Sequence, residues 1–588
     1  MNGHRSSEFL CSVQVDPTVK PTTIPMRLDP MDPDTKSPIG RCQSVRPRSV
    51  VIWLLFLVAV LAIPVFALHE GPSVVFNFLS ADSFYYLTIA KNSHSILSPS
   101  FDGERPTNGF HPLWQIVLIG LFRLTGPSQE LQISIVFLVS TCLVTAGLIL
   151  AGHALQCVTG SSLSILWLVP GLFQVLFGGR GERGLTYTYS CWAFMNGMES
   201  PLSLFFGGLL LHCLARRRTS RLGEDPPRDG LRLWPFSSSF AWGLGLIVMC
   251  CVMSRLDDVF VAAGFVLCLL AGPNSSKVRA LQVGLPTALF LAIYIGHHFV
   301  SGQTLLPTSA AVKSSNALEA NLRCLVSELI PLAQWTHCPV RHLDRLTGLT
   351  IPMVVCALLL SVGCARLGTS PTPCLPPCTM NPLLVYVLGK GFYNWFFVEV
   401  GHQGYWYYAL PVLVTNWLLV ALACAGWRAL AAKTADKKSH ATSALVRSAG
   451  TVSLALWTLV YLITVADTVK RLKSWNSWYG VWSARVTMAR DLERSIGQSK
   501  LISNDDGLLA YALPYPSASI LGFVTDQAGY AARRRGLKAY WDYCIERGFT
   551  VVGSTDGGYF DLSKWYVTRT VYQHQQSHTV FVRLEKSR

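Results

Sequence analysis

Apolar residues come in long blocks through the first 470 positions, separated by short stretches rich in Gly, Pro and Arg. The blocks fall at 50–68, 111–126, 131–152, 161–178, 201–215, 239–253, 257–272, 280–300, 347–364, 382–398, 405–427 and 448–469. Several are as long as a helix needs to cross the hydrocarbon core, about 20 residues. The pattern predicts an α-helical polytopic membrane protein with about 11–13 hydrophobic segments. Beyond about 480 the pattern changes. A helical stretch at 484–496 leads into a strand at 501–503, and a second helical stretch at 536–547 precedes strands at 549–553, 565–571 and 578–583. These alternations predict a small C-terminal extracytoplasmic α/β domain over 471–588. Residues 1–49 are polar, Pro-rich and aperiodic, and read as a disordered cytoplasmic tail. The apolar run after them is too long and too deep in the chain for a cleaved signal peptide and reads as a retained anchor.

Composition excludes a soluble reading of the apolar blocks. Hydrophobic residues make up 51% of the chain and charged residues 14%, with a mean hydropathy of +0.36. The net charge of +16 points to topology rather than to nucleic acid, because the basic residues sit in short segments between apolar blocks. Arg41, Arg46 and Arg48 precede the first block; Arg216, Arg217, Arg218, Arg221, Arg228 and Arg232 fill one loop, and Arg428, Lys433, Lys437 and Lys438 another. By the positive-inside rule these segments are cytoplasmic. The threading then puts 69–110, 301–346, the turn at 399–405 and everything after 470 on the outer side, around a helical part spanning 50–470. Between 111 and 199 the number of crossings must be even, yet there are three apolar runs, so one of them does not cross. Cys324 and Cys338 share an outer loop, where a disulfide could join them.

The polar outer segments hold the candidate chemistry. The first reads LSADSFYYLTIAKN (79–92), then SPSFDGERPTNGFHPLW (98–114). Asp82 could act as a general base or simply cap a helix. Phe84, Tyr85 and Tyr86 read as interfacial anchors or as a sugar platform. Asp102 and Glu104 could bind an acceptor or solvate the loop. Arg255 is costly at membrane depth unless paired, and Asp257 or Asp258 is its obvious partner. Glu199 begins an apolar helix, where capping and catalysis are both open.

The ordered set of motifs resembles the bacterial GT-C superfamily of integral membrane glycosyltransferases, relatives of polyprenyl-phosphate-sugar-dependent mannosyl- and arabinosyltransferases. The resemblance covers 70–588 and rests on the first outer loop, NGMESPL (196–202), SRLDD (254–258), LLPTSAAVKSS (305–315), GYWYYALP (404–411) and SNDDGLLAYALP (503–514). It implies a sugar donor linked to a polyprenyl phosphate, an extracytoplasmic glycan, lipid or protein acceptor, and inversion at the transferred carbon. It implies Asp82 as the catalytic base, and Lys313, Arg255, His111, Glu199 and Tyr405 as candidates for holding the donor's phosphate or sugar. His111 could be a second base or a hydrogen-bond donor to phosphate. Many relatives carry two adjacent acids where this chain has Ala81–Asp82, which argues against a divalent metal built on such a pair; no other cofactor is implied. The family points to the bacterial inner membrane, with the site facing away from the cytoplasm. The rival reading is a glycan or lipid transporter or flippase, and a third is an inactive scaffold of the same fold. Transporters usually carry inverted repeats, and no internal repeat is visible.

Overall fold

The apolar blocks are helices in the computed structural model of the chain. It describes residues 47–80, 82–169, 191–219, 237–272, 274–301, 303, 307, 319, 321–322, 377–398, 405–435, 440–474, 499–503, 507–519, 524–554, 566–574 and 579–586, some of them by backbone alone. In chain order the main helices are α1 (Pro47–Glu70), α2 (Ser83–Asn92), α3 (Pro112–Thr125), α4 (Gln129–Thr159), α5 (Ser200–Thr219) and α6 (Ser238–Ser254). They continue with α7 (Val259–Leu270), α8 (Asn274–Val300), α9 (Pro377–Phe397), α10 (Ala409–Ala435) and α11 (His440–Ser474). Among the described residues, Arg48–Glu70, Gln129–Thr159, Ser276–Val300, Ala409–Trp427 and Ser448–Lys470 are long and apolar enough to cross a membrane. The chain is a multi-pass membrane protein. Local sequence sets where helices begin and end: Ser128 caps α4 by accepting from Leu131 N, and Gly160 closes it in the left-handed conformation.

The helix α3 is held at both ends. At its start His111 meets the turn between α6 and α7, where its Nδ1 accepts from Leu256 N at 3.3 Å. Near its other end Arg123 donates to His94 O at 2.7 Å, just past α2. Both ends of α3 therefore lie against the backbone of other segments, the turn at 255–258 and the stretch just past α2. The longer helix α4 is long and apolar enough to cross a membrane. It starts with Gln129 donating to Tyr511 O of the C-terminal domain at 2.8 Å. It ends beside the start of α1, where Trp53 Nε1 donates to Gln156 and the Ser49 and Ser162 hydroxyls lie 2.7 Å apart. The block 161–178 opens not as an α-helix but as a 3-10 helix, Ser162–Leu168, whose Leu166 carbonyl accepts from Trp457. Its remainder from 170, the block 347–364 and the helical stretch 484–496 lie outside the described residues.

The C-terminal part contains β1 (Lys500–Ser503), α12 (Leu508–Ala512), β2 (Ser517–Ser519), α13 (Gln527–Arg534), α14 (Leu537–Glu546), β3 (Phe549–Ser554), β4 (Tyr566–His574) and β5 (Thr579–Lys586). The five strands form one mixed sheet in the order β2-β1-β3-β5-β4, parallel at β2-β1-β3 and antiparallel at β3-β5-β4. Strand periodicity sorts its side chains. Ile502 and Val552 pack with Tyr540, Trp541 and Cys544 of α14 on one face, while Leu501, Val551 and Phe581 meet Leu509 and Leu513 on the other. The short helix α12 is two-sided. Leu509 faces the sheet, whereas Leu508, Tyr511 and Ala512 belong to the same core as the membrane helices. The strands at 501–503, 549–553, 565–571 and 578–583 and the helix at 536–547 agree with the sequence reading; β2, α12 and α13 carry too few residues to show a period.

Candidate active site

Asp82 stands at the head of α2, half-buried, and its side chain makes no capping hydrogen bond. Ser80 fills that role, its Oγ accepting from Ser83 N at 3.2 Å while Ser83 Oγ donates to Ser80 O at 2.6 Å. The carboxylate of Asp82 is thus not spent on closing the helix.

The aromatics after it are core, not interfacial anchors or a sugar platform. Phe84, Tyr85 and Tyr86 are buried: Phe84 lies against Tyr511, Tyr85 against Phe101, and Tyr86 reaches His111, while the chain from Gly507 to Leu513 lies across α2. Gly507, at φ +89°, comes so close that a Cβ would sit 2.9 Å from Phe84 C and Tyr85 N. Lys91 donates to the carbonyls of Ala510, Tyr511 and Leu513 at 3.0, 2.9 and 2.8 Å, satisfying the open end of α12. The loop after α2 is tied to the same domain by charge. Arg547 pairs with Asp102 at 2.9 Å and with Glu104 at 3.0 Å, Lys500 also pairs with Glu104, and Arg105 pairs with Asp526 at 3.0 Å. Asp102 and Glu104 are therefore docking residues, and the hydrogen bond from Lys500 holds the Glu104 carboxyl below its usual range.

One turn beyond Asp82 on the same face, Tyr86 meets a buried charged network. Its hydroxyl accepts from His111 N at 3.3 Å; burial, then the nearby Glu199 carboxylate, push the phenol well above its ordinary pKa. Glu199 is delivered by a tight turn. Ser80 N donates to Asn196 O at 3.0 Å, Trp114 donates to Gly197 O at 2.9 Å, and Gly197 adopts φ +74°, where a Cβ would lie 2.7 Å from Leu79. Fully buried at the head of α5, where its carbonyl accepts from Leu202 N and Ser203 N, Glu199 ion-pairs with Arg255 and lies 3.7 Å from His111 Nε2.

Arg255 follows α6 in an extended conformation that turns its side chain into the bundle. Beyond Glu199 it meets Asp257, with Nε 2.9 Å from Oδ1, and its guanidinium lies 4.2 Å from the ring centre of Tyr407. Asp257 also pairs with Lys390 of α9, which is 3.7 Å from Asp258, and Asp258 accepts from Tyr386 OH at 2.9 Å. The sequence reading anticipates the Arg255–Asp257 pair but misses Lys390 and Tyr386. A lone lysine in the apolar run LGKGFYNW (388–395) is the available signal, since an ionisable group at membrane depth needs a reason to be there.

Because His111 Nδ1 accepts from Leu256 N, a neutral ring carries its proton on Nε2, facing Glu199. Burial brings the His111 pKa down to about 4, so the ring is neutral at physiological pH. Of the other candidates, Lys313 lies outside the described residues. Tyr405 opens the 3-10 turn Tyr405–Tyr408, with only its backbone described. Among the described residues no group of three His, Cys, Asp or Glu could hold a metal ion.

The arrangement sets a half-buried carboxylate one helical turn from Tyr86, which meets a buried set of cations, carboxylates and N–H donors. Such a set can take a proton from a hydroxyl and stabilise a departing anion.

No protein-family model matches the sequence, and no curated protein matches it. Among solved structures the chain is similar to ArnT from Cupriavidus metallidurans bound to undecaprenyl phosphate, at 12% identity over 92% of this chain and 98% of that one, with a TM-score of 0.48. It is also similar to the apo oligosaccharyltransferase of Archaeoglobus fulgidus, at 13% identity over 92% of this chain and 74% of that one, with a TM-score of 0.49.

Proposed function

We propose that the protein is a membrane glycosyltransferase that moves a sugar from a polyprenyl-phosphate donor to an acceptor hydroxyl on the extracytoplasmic side, with inversion. One observation carries this reading: the half-buried carboxylate of Asp82 stands one helical turn before Tyr86, which meets the network of His111, Glu199 and Arg255. The ordered resemblance to GT-C enzymes in the sequence supports it. In this reaction the acceptor oxygen bonds to the anomeric carbon as that carbon's bond to the phosphate oxygen breaks. The hydroxyl proton passes to the Asp82 carboxylate, and polyprenyl phosphate leaves on the opposite face. Arg255 and the His111 Nε2–H are the groups in reach of this region that favour a developing phosphate charge, and Lys313 is a further candidate. The division into a tail (1–49), a helical catalytic part (50–470) and an outer domain (471–588) belongs to the same reading, the outer domain holding the base-bearing loop.

The test is incorporation of labelled sugar from a panel of polyprenyl-phosphate sugars by the full chain in lipid vesicles, with the product anomer identified. Donor-dependent transfer lost in Asp82→Asn is the expected result. Movement of intact donor across the bilayer without transfer would overturn the reading in favour of transport.

A further inference from the structure

Lys390 is fully buried between Gly389 and Gly391, and no step above uses it. An ammonium in that setting persists only with anionic partners. Its partners are the two carboxylates of the turn after α6: it ion-pairs with Asp257 and lies 3.7 Å from Asp258. Asp257 is also one of the two carboxylates on Arg255. Lys390 and Arg255 therefore share Asp257, so the charge balance around the arginine depends on the lysine. Glu199, Asp257 and Asp258 face Arg255 and Lys390 in this cluster. Without Lys390 the same carboxylates surround a single guanidinium, which is drawn onto them and offers little attraction to another anion. With Lys390 in place the Asp257 charge is divided between two cations, so the Arg255 guanidinium is less fully neutralised by it.

We propose that Lys390 is a positioning residue for the donor: acting through Asp257, it keeps Arg255 able to receive the phosphate of a polyprenyl phosphate, without touching the donor itself. The inference rests on the function read above for Arg255. It concerns binding, so it can be measured apart from transfer. The probe is decaprenyl phosphate, titrated into the full chain in lipid nanodiscs, with thermal unfolding followed in parallel.

Lys390→Met is expected to weaken binding by about tenfold or more, while Lys390→Arg, which keeps the charge, stays within about threefold of wild type. Adding Asp257→Asn to Lys390→Met removes the stranded carboxylate and is expected to bring affinity back to within about threefold. A lysine with a purely structural role would lower the unfolding temperature and leave the affinity of the folded protein unchanged; that result overturns the proposal. If Lys390→Met does not fold, the double variant carries the test, and a tenfold loss in it overturns the proposal as well. Wild-type protein that transfers sugar while Lys390→Met binds the probe normally refutes only the lysine's role. Wild-type protein that binds no decaprenyl phosphate refutes both.

Discussion

Among single side chains, Asp82 carries the most direct consequence. Replacing it with Asn keeps the shape and removes the proton acceptor, so turnover should fall by about 10²–10⁴-fold in the labelled-sugar assay. The fold should survive, because Ser80 caps α2. His111 behaves differently. Burial lowers its folded-state pKa to about 4, below the unfolded value of about 6.5. The unfolded chain therefore binds more protons between these values, and stability is lost as pH falls from about 6.5 towards 4. Thermal unfolding across that window should show a shallower pH slope in His111→Gln than in wild type. An equal slope in both would mean that the ring does not titrate as its surroundings dictate.

The short elements explain how a soluble-looking segment enters a membrane protein's core. With Leu509 and Leu513 on the sheet and Leu508 and Tyr511 in the bundle, α12 clamps α2. Gly507 makes the close approach possible. Gly507→Ala would add both a strained positive φ and a 2.9 Å contact with the backbone of α2, so a loss of roughly 1–3 kcal/mol is expected. Faster amide exchange in 83–92 is the measurement. The loop 99–107 is held by charge instead. Although burial opposes it, hydrogen bonds led by that from Tyr543 keep the Asp526 carboxyl low, and Lys500 does the same for Glu104. This docking is in place above the ordinary carboxylate pKa, about 4, and is lost as pH falls through the lowered values. Arg547→Ala removes the cation shared by Asp102 and Glu104 and should raise protease sensitivity at 99–107, more so in high salt.

The path of the chain through the bundle yields a topological prediction. Pro127 and Gly160 flank α4 at opposite ends. In a background without accessible cysteines, Pro127→Cys should react with an impermeant maleimide from the same side as Gly103→Cys, and Gly160→Cys from the other. Labelling of 127 and 160 from one side would contradict the crossing by α4. This geometry also collects distant sequence at one place. The starts of α3, α5 and α7 and the end of α6 meet where His111, Glu199, Arg255 and Asp258 converge.

Membrane helices, their approximate limits and most of the outer sheet were legible in the chain, because a 20-residue apolar run and a two-residue alternation are local signals. The Arg255–Asp257 pair was legible for the same reason, its members being two positions apart. Four features were not. Phe84, Tyr85 and Tyr86 look like interfacial residues until Tyr511, Phe101 and His111 pack against them. Asp102 and Glu104 look solvated until Arg547, more than 400 positions away, reaches them. The contacts that hold both ends of α3 were hidden because hydropathy records length and not contacts. The network from Glu199 through Arg255 and Asp257 to Lys390 draws on separate helices, and only their packing brings opposite charges close enough for burial to be tolerated. Local pattern sets what each segment can form; pairing of buried charge and surface across the fold decides what each residue does there.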